Sequence, residues 1–349
     1  MQNLVDYLHS LPIFANLSPN LIAITLMVLG GVVIALVMAL NALVLIYAER
    51  KISAWMQERL GPMEVGKHGI LQTLADAVKL LLKEDIVPRA ADKPLHMFAP
   101  LLVFAAPCAA LAAFPYTREF VFTDFNVGVF FVTAITSLSV IGLLIAGWAS
   151  NNKWALLGGM RAAAQIVSYE IPAGLTILVV VMQVGSLSFQ EISLAQDGGI
   201  HHWLIWQYFP FNLIAFIVFF VATLAECNRT PFDLPEAESE LVSGFHTEYS
   251  GFKWSIFFLA EYGEMLVVSL FGAALFLGSW SSPIPGFLNS GVWGAFWLFA
   301  KALGLIFVQI WLRWTLPRLR VDQLMYTSWK VLTPFAFGCI FAVGLWMLA

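Results

Sequence analysis

Long apolar runs constrain this chain more than any other feature of its sequence. They lie near Leu21 to Tyr47, Phe98 to Phe114, Val127 to Ala149, Ile166 to Val184, Phe209 to Ala225, Trp254 to Leu277, Val292 to Trp311 and Val331 to Leu348. A helix needs about 20 apolar residues to cross a hydrocarbon core roughly 30 Å thick, and these runs approach or exceed that length. In lipid every backbone amide must be bonded internally, which a helix achieves within one segment. The expected fold is an all-α integral membrane protein, a bundle of eight transmembrane helices. Pro100, Pro107 and Pro115 interrupt the second run, which membrane helices tolerate where neighbours satisfy the freed carbonyls. Composition agrees, with 60% of residues hydrophobic and 11% charged against about 25% charged in soluble domains. A soluble globular enzyme is excluded, and a net charge of -4 argues against nucleic-acid binding.

The few basic residues set the orientation. The connection after the first run carries Arg50, Lys51, Arg59, Lys67, Lys79, Lys83, Arg89 and Lys93. Those after the third, fifth and seventh carry Lys153 and Arg161, then Arg229 and Lys253, then Arg313, Arg318, Arg320 and Lys330. This places 16 of the 18 basic residues on one side, leaving Arg118 opposite and Lys301 inside a span. Residues 1–349 read as a single polytopic membrane domain with cytoplasmic loops near 50–95, 150–162, 228–253 and 313–330 and both termini on the other side. No base precedes Arg50, so the basic region of a cleaved signal peptide is missing and the first run is expected to be a retained span.

Within the first basic loop, Ile70, Leu71, Leu74, Ala77, Val78, Leu81 and Leu82 recur at helical spacing, opposite Gln72, Thr73, Asp76, Lys79 and Lys83. The pattern predicts an amphipathic helix that serves the membrane interface, fills a partner's groove, or packs over the bundle. The outer connection from Gly185 to Gln207 holds Glu191 and Asp197 and no base. It reads as a solvated surface loop.

Cys108, Cys227 and Cys339 are far apart and form no CxxC, so no disulfide framework, zinc site or iron–sulfur site is expected. Neither a GxGxxG nor a Walker lysine loop is present, and nucleotide binding is unsupported. The chemistry lies instead in costly charges: Glu170, Glu226, Glu261, Glu264 and Lys301 fall within or at the ends of apolar runs. A charge at mid-membrane costs roughly 2.5 to 3.5 kcal/mol on insertion scales. Protonation relieves that cost, and a carboxyl group that changes state in this way can relay protons. Glu261 and Glu264, three apart, share a helix face and would titrate as a coupled pair. Each could instead bond a neighbouring helix or lie at the headgroups. In the stretch from Ala225 to Leu241, Asp233 is placed to cap a short helix entered through Pro235, with Glu236, Glu238 and Glu240 following within about one turn. Its position directly after Glu226 favours a polar route into the membrane over a merely solvated acidic loop.

Three blocks resemble a known family, the proximal membrane (H) subunit of respiratory complex I, NADH:quinone oxidoreductase. The first is Glu49-Arg50-Lys51 with Gln57 to Pro62 and Leu71 to Leu80; the second runs from Gly159 to Ile171. The third runs from Ala225 to Phe245, continues from His246 to Gly251 and ends at Ala260-Glu261-Tyr262, and Arg313 to Leu324 also matches. The resemblance implies a membrane subunit of a proton-pumping oxidoreductase that is not catalytic alone and binds no cofactor or metal of its own. It would form much of the quinone chamber and couple quinone reduction to proton translocation. Flavin and iron–sulfur clusters would belong to partner subunits, of the peripheral arm and beside antiporter-like membrane subunits. Glu170, Glu226 and Glu261 match the family's buried glutamate pathway, and Glu236, Glu238, Glu240 and Glu248 its acidic loop. Glu49, Arg50, Arg59, Asp76 and Arg313 match polar residues that line or flank the quinone channel. The chain departs from the family at Met63 and Glu64, where an asparagine is usual, and at Cys227, often threonine. A bacterial inner membrane with both termini periplasmic suits this reading. The alternatives are the membrane anchor of a hydrogenase or formate hydrogenlyase, a stand-alone proton-coupled transporter, and a structural scaffold.

Overall fold

The structure, a computed structural model, describes residues 18–288 and 291–348, apart from the side chains of Pro19, Glu238 and Ser239. Among the described residues, seven helices are long and apolar enough to cross a membrane. They are α1 (Pro19–Met56), α3 (Lys93–Leu111), α4 (Gly128–Ala149), α5 (Lys153–Val184), α9 (Gly251–Phe276), α10 (Val292–Thr315) and the continuous stretch of α11 (Val321–Tyr326), a π-helical turn (Thr327–Leu332) and α12 (Thr333–Leu348). The eighth expected span is shorter: α7 (Phe211–Glu226) has 16 residues, about 24 Å at 1.5 Å per residue. The expectation of eight transmembrane helices is thus met in part: seven helices among the described residues have the length to cross, and α7 is a shorter apolar one. The chain end before residue 18, whose side of the membrane the sequence addressed, lies outside the described residues.

Helix α9 is the axis of the bundle, with every residue from Tyr262 to Phe276 buried. A helix that is apolar all round has no solvent face to keep, so others surround it. Phe271 meets Phe114, Phe189 and Phe219 edge-on, at 6.2, 5.6 and 5.7 Å between ring centroids. Helix α1, in contrast, leaves Ile24, Leu36 and Leu40 exposed, as a helix facing lipid does.

Several boundaries differ from the sequence reading. Helix α1 runs through Glu49, Arg50 and Lys51, and α5 begins at Lys153, so most of the expected 150–162 loop is helical. Asn152 starts α5 by accepting the Trp154 amide at 2.9 Å, a side-chain cap for an orphan donor. Helix α2 (Gln72–Leu82) is present in the first basic loop. Thr73 faces inward, whereas Leu74, Val78, Leu81 and Leu82 stay exposed; its apolar side is therefore not packed over the bundle.

The outer connection corrects the expectation of a solvated loop. It contains α6 (Phe189–Ala195) and buries Gln196, Trp203, Leu204 and Ile205. The Gln196 amide donates to Ala274 O at 2.9 Å, and its oxygen accepts from the Gly278 and Leu204 amides at 2.9 and 3.3 Å. Lys301, expected inside a span, donates to Ser279 O and Ser281 O at 2.9 and 2.7 Å, with its ammonium 4.4 Å from the Trp203 ring centre. Two carbonyls of the turn that follows α9 thus find a cation.

At the opposite, basic end, residues 228–253 fold into a buried cap containing α8 (Glu238–Leu241). Asp233 does not cap this helix, contrary to the sequence reading; Ala237 stands at that position without a side-chain bond. The cap rests on close backbone contacts. A Cβ on Gly158 of α5 would stand 2.7 Å from the Phe245 nitrogen, and one on Gly244, whose φ is +59°, 1.7 Å from Pro235 O. Only glycine meets both the approach and the left-handed backbone at Gly244.

Candidate functional site

Four elements converge at the basic end and bring their charges together. Glu49 comes from the last turns of α1, Arg229 from just beyond α7, Glu261 and Tyr262 from α9, and Arg313 from the last turn of α10. The Arg229 guanidinium reaches Glu261 Oε1 at 2.8 Å and Glu49 Oε2 at 3.3 Å and lies 4.4 Å from the Tyr262 ring centre. Tyr262 donates its hydroxyl proton to Glu49 Oε2 at 2.7 Å, and Arg313 bonds Glu49 Oε1. Arg229, with a side chain only 4% exposed, is thereby neutralised on two sides. An unpaired charge in that position would be several kcal/mol worse. Sequence reasoning treated Arg229 only as one basic loop residue and passed over Tyr262. The signal available was an arginine three residues past Glu226, at the end of an intramembrane run.

This cluster forms one wall of a cavity of about 990 Å³. Arg50, Asp76 and Glu236 also line it, while Leu43, Phe104 and Leu259 make it apolar elsewhere. Arg50 pairs with Asp76 at 2.5 Å, and Gln72 donates to the same carboxylate at 3.1 Å, so α2 is held over the cavity. Arg59 is not brought here; it is exposed and bonds Gln57 at 2.7 Å. The pairing of Arg59 within its own surface turn was not legible from a charge beside Gly61-Pro62.

The acidic cap residues divide. Glu236 is within 3.4 Å of His246 Nε2. Glu240 pairs with Arg161 at 2.6 Å and Glu248 accepts from Asn152 at 2.6 Å, both away from the cavity lining. Of Glu238 only the backbone is described, in the first turn of α8. Asp233 binds Arg318 at 3.0 Å. Burial, then the charge of Glu236, push the Asp233 carboxyl up to about 6 in spite of Arg318. Glu236 also loses solvent, but the hydrogen bond and charge of His246, with Arg229 and Arg318 behind them, hold it below its ordinary value.

A second cavity, about 430 Å³, lies deeper in the bundle and is lined by Ser137, Glu170, Thr223, Glu226 and Phe271. Ser137 bonds the Glu170 carboxylate. Glu170 and Glu226 therefore share one cavity, and Glu261 belongs to the other. Cys227 is buried, as its apolar setting suggested, and among the described residues no His, Cys, Asp or Glu group could hold a metal ion.

A helical bundle that keeps paired charges inside its apolar mass, facing one large amphiphilic cavity and one smaller acidic one, is a polytopic membrane protein with buried ionisable chemistry. Its sequence matches the model of the NADH dehydrogenase family over residues 29–344. The NADH-quinone oxidoreductase H subunit of Chlorobium luteolum is 55% identical over 87% of this chain and 84% of its own length. The H subunit of Chlorobaculum parvum is 52% identical over 92% and 93%, and that of Bacillus cytotoxicus 50% over 86% and 87%. The chain belongs to the NADH dehydrogenase family.

Proposed function

We propose that this chain is a membrane subunit, of the same kind as these H subunits, through which an NADH-quinone oxidoreductase binds quinone and couples its reduction to proton translocation. One observation carries the reading: the buried set Glu49, Arg229, Glu261, Tyr262 and Arg313 closes one side of a cavity of about 990 Å³ whose other walls are largely apolar. A quinone needs hydrogen-bond donors at its carbonyls and an apolar path for its tail. Arg229 and Arg313 bring donors; Leu43, Phe104 and Leu259 give the path. Arg50 and Asp76 flank the headgroup, and Arg59 lies on the adjoining surface turn.

Electrons come from flavin and iron–sulfur clusters of partner subunits, and this chain binds neither cofactor nor metal. Peripheral-arm subunits seat on the basic face; antiporter-like subunits adjoin the bundle in the membrane. Reduction of the quinone alters the charge balance at Glu261 and the cap residues Glu236, Glu238, Glu240 and Glu248, and this change passes to Glu226 and Glu170. The single membrane domain crosses eight times, α7 included. Arg229 beyond α7 joins Glu49 at the end of α1, while Asn212 at the start of α7 donates to Leu204 O in the outer connection at 2.7 Å. Helix α2, with its exposed leucines, lies amphipathically at the inner interface, and both termini are periplasmic in a bacterial inner membrane.

Glu226→Gln tests the coupling. The variant is expected to assemble and to lose coupled NADH:quinone turnover; normal coupled turnover would overturn the assignment. Flavin and inhibitor-sensitive NADH:quinone activity should co-purify with the tagged chain from mild detergent, whereas nickel without flavin would move it to the hydrogenase anchors.

A further inference from the structure

Helix α9 passes both cavities. Glu261 lines the larger, and Val267 and Val268 line the smaller. Glu264 lies between them, three residues after Glu261 and three before Val267, so it occupies the same helix face about 4.5 Å further along the axis. It is 8% exposed, and its Oε1 has no protein partner. Its surroundings come from two other elements. Ser139 of α4 lies within hydrogen-bonding reach, and Glu226 at the end of α7 is close enough for its charge to be felt. Cys227 feels the charges of Glu264, Glu226 and Glu261, with Arg229 opposing them. Arg229 is already engaged by Glu49 and Glu261. A buried carboxyl oxygen without a partner is expensive, and native proteins retain such groups where they have work to do.

We propose that Glu264 carries protons between the two cavities, as the carboxyl group that joins Glu261 to Glu226. This rests on the proton-coupled reading of the family site and adds a residue to it. Each hop breaks one O–H bond and forms another, directly or through a bound water, and no electron changes hands. A proton held by Glu261 passes to the Glu264 carboxylate, and that on Glu264 to the Glu226 carboxylate, with Glu170 beyond in the same cavity. Without Glu264 the path along α9 offers only apolar side chains from Met265 to Val268.

The test uses the whole complex in proteoliposomes, matched for subunit content, with Glu264→Gln, Glu264→Asp and Glu226→Gln prepared in parallel. The expected result is that Glu264→Gln lowers NADH-driven proton translocation by at least about tenfold, that Glu264→Asp restores part of it, and that a protonated-carboxyl band disappears from the redox-induced infrared difference spectrum of the Gln variant. Normal translocation in Glu264→Gln while Glu226→Gln is inactive would overturn this proposal and leave the wider reading standing. Normal translocation in both would overturn the wider reading itself. Equal loss in the Gln and Asp variants with the infrared band intact would mean a packing role, and would overturn the proposal too.

Discussion

Asp233 and Glu236 stand three residues apart in the same cap, and their surroundings drive them in opposite directions. One is pushed up to about 6 by burial and by its neighbour's charge; the other is held down by His246, Arg229 and Arg318 despite burial. Two acids separated in this way leave one ionised and the other free to change state near neutral pH. For Asp233 the folded value exceeds the ordinary 3.8, so its ionised form costs stability. The cap is most stable below that ordinary value and loses stability as the pH rises through about 6. Glu236 has the opposite sign, and its contribution is lost only as the pH falls below its ordinary 4.5. Between about pH 5 and 7, then, the Asp233 effect stands apart. Protection from hydrogen exchange over residues 228–253 in the assembled complex, taken relative to the intrinsic exchange rate at each pH, should be greater at the lower pH, and Asp233→Asn should abolish the difference. A difference that survives in the variant would assign the titration to another group.

At the level of elements, the cap is seated by α5 where that helix lacks a side chain. Gly158 lets the backbone at Gly244 and Phe245 come within 2.8 Å and 2.7 Å of where its Cβ would be. Those neighbours are main-chain atoms, which cannot swing aside as a long side chain does. Gly158→Ala is expected to destabilise the seated cap by about 1–3 kcal/mol, read as earlier thermal loss of the subunit from the complex. Leu157→Ala, on the exposed side of the same helix, should have little effect, and equal melting of both variants with the parent would refute the contact. The sequence patterns located α4, α9 and α10 closely because long apolar runs impose helices in lipid. They did not locate the seat of the cap, since an interior glycine pair in a membrane helix looks alike whether it faces lipid or a loop. Glu170, Glu226 and Glu261 were legible as expensive charges. That Glu261 belongs to one cavity and Glu226 to the other depended on the tertiary course of α7 and α9, whereas Arg59 bonds Gln57 within its own surface turn.

Across the whole molecule, charge and geometry agree on a basic end. The cluster at Glu49, Arg229, Glu261 and Arg313 joins the ends of α1, α7 and α10 to the middle of α9, and 16 of the 18 bases lie on the basic side by sequence. Arg118, exposed between α3 and α4, lies at the other end. The weak link is α7, whose 16 residues fall short of a core roughly 30 Å thick. A short helix can still cross if the bilayer thins locally, at fractions of a kcal/mol per Å of mismatch. Cysteine labelling decides it with little background, because Cys227 and Cys339 are buried and Cys108 is partly so. In sealed membrane vesicles, Lys67→Cys and Val242→Cys, both at exposed positions, should react with an impermeant maleimide only when the basic face is outward, and Arg118→Cys only in the opposite orientation. If α7 enters and returns without crossing, Val242→Cys would label from the face of Arg118 instead, and the count of crossings would have to be revised.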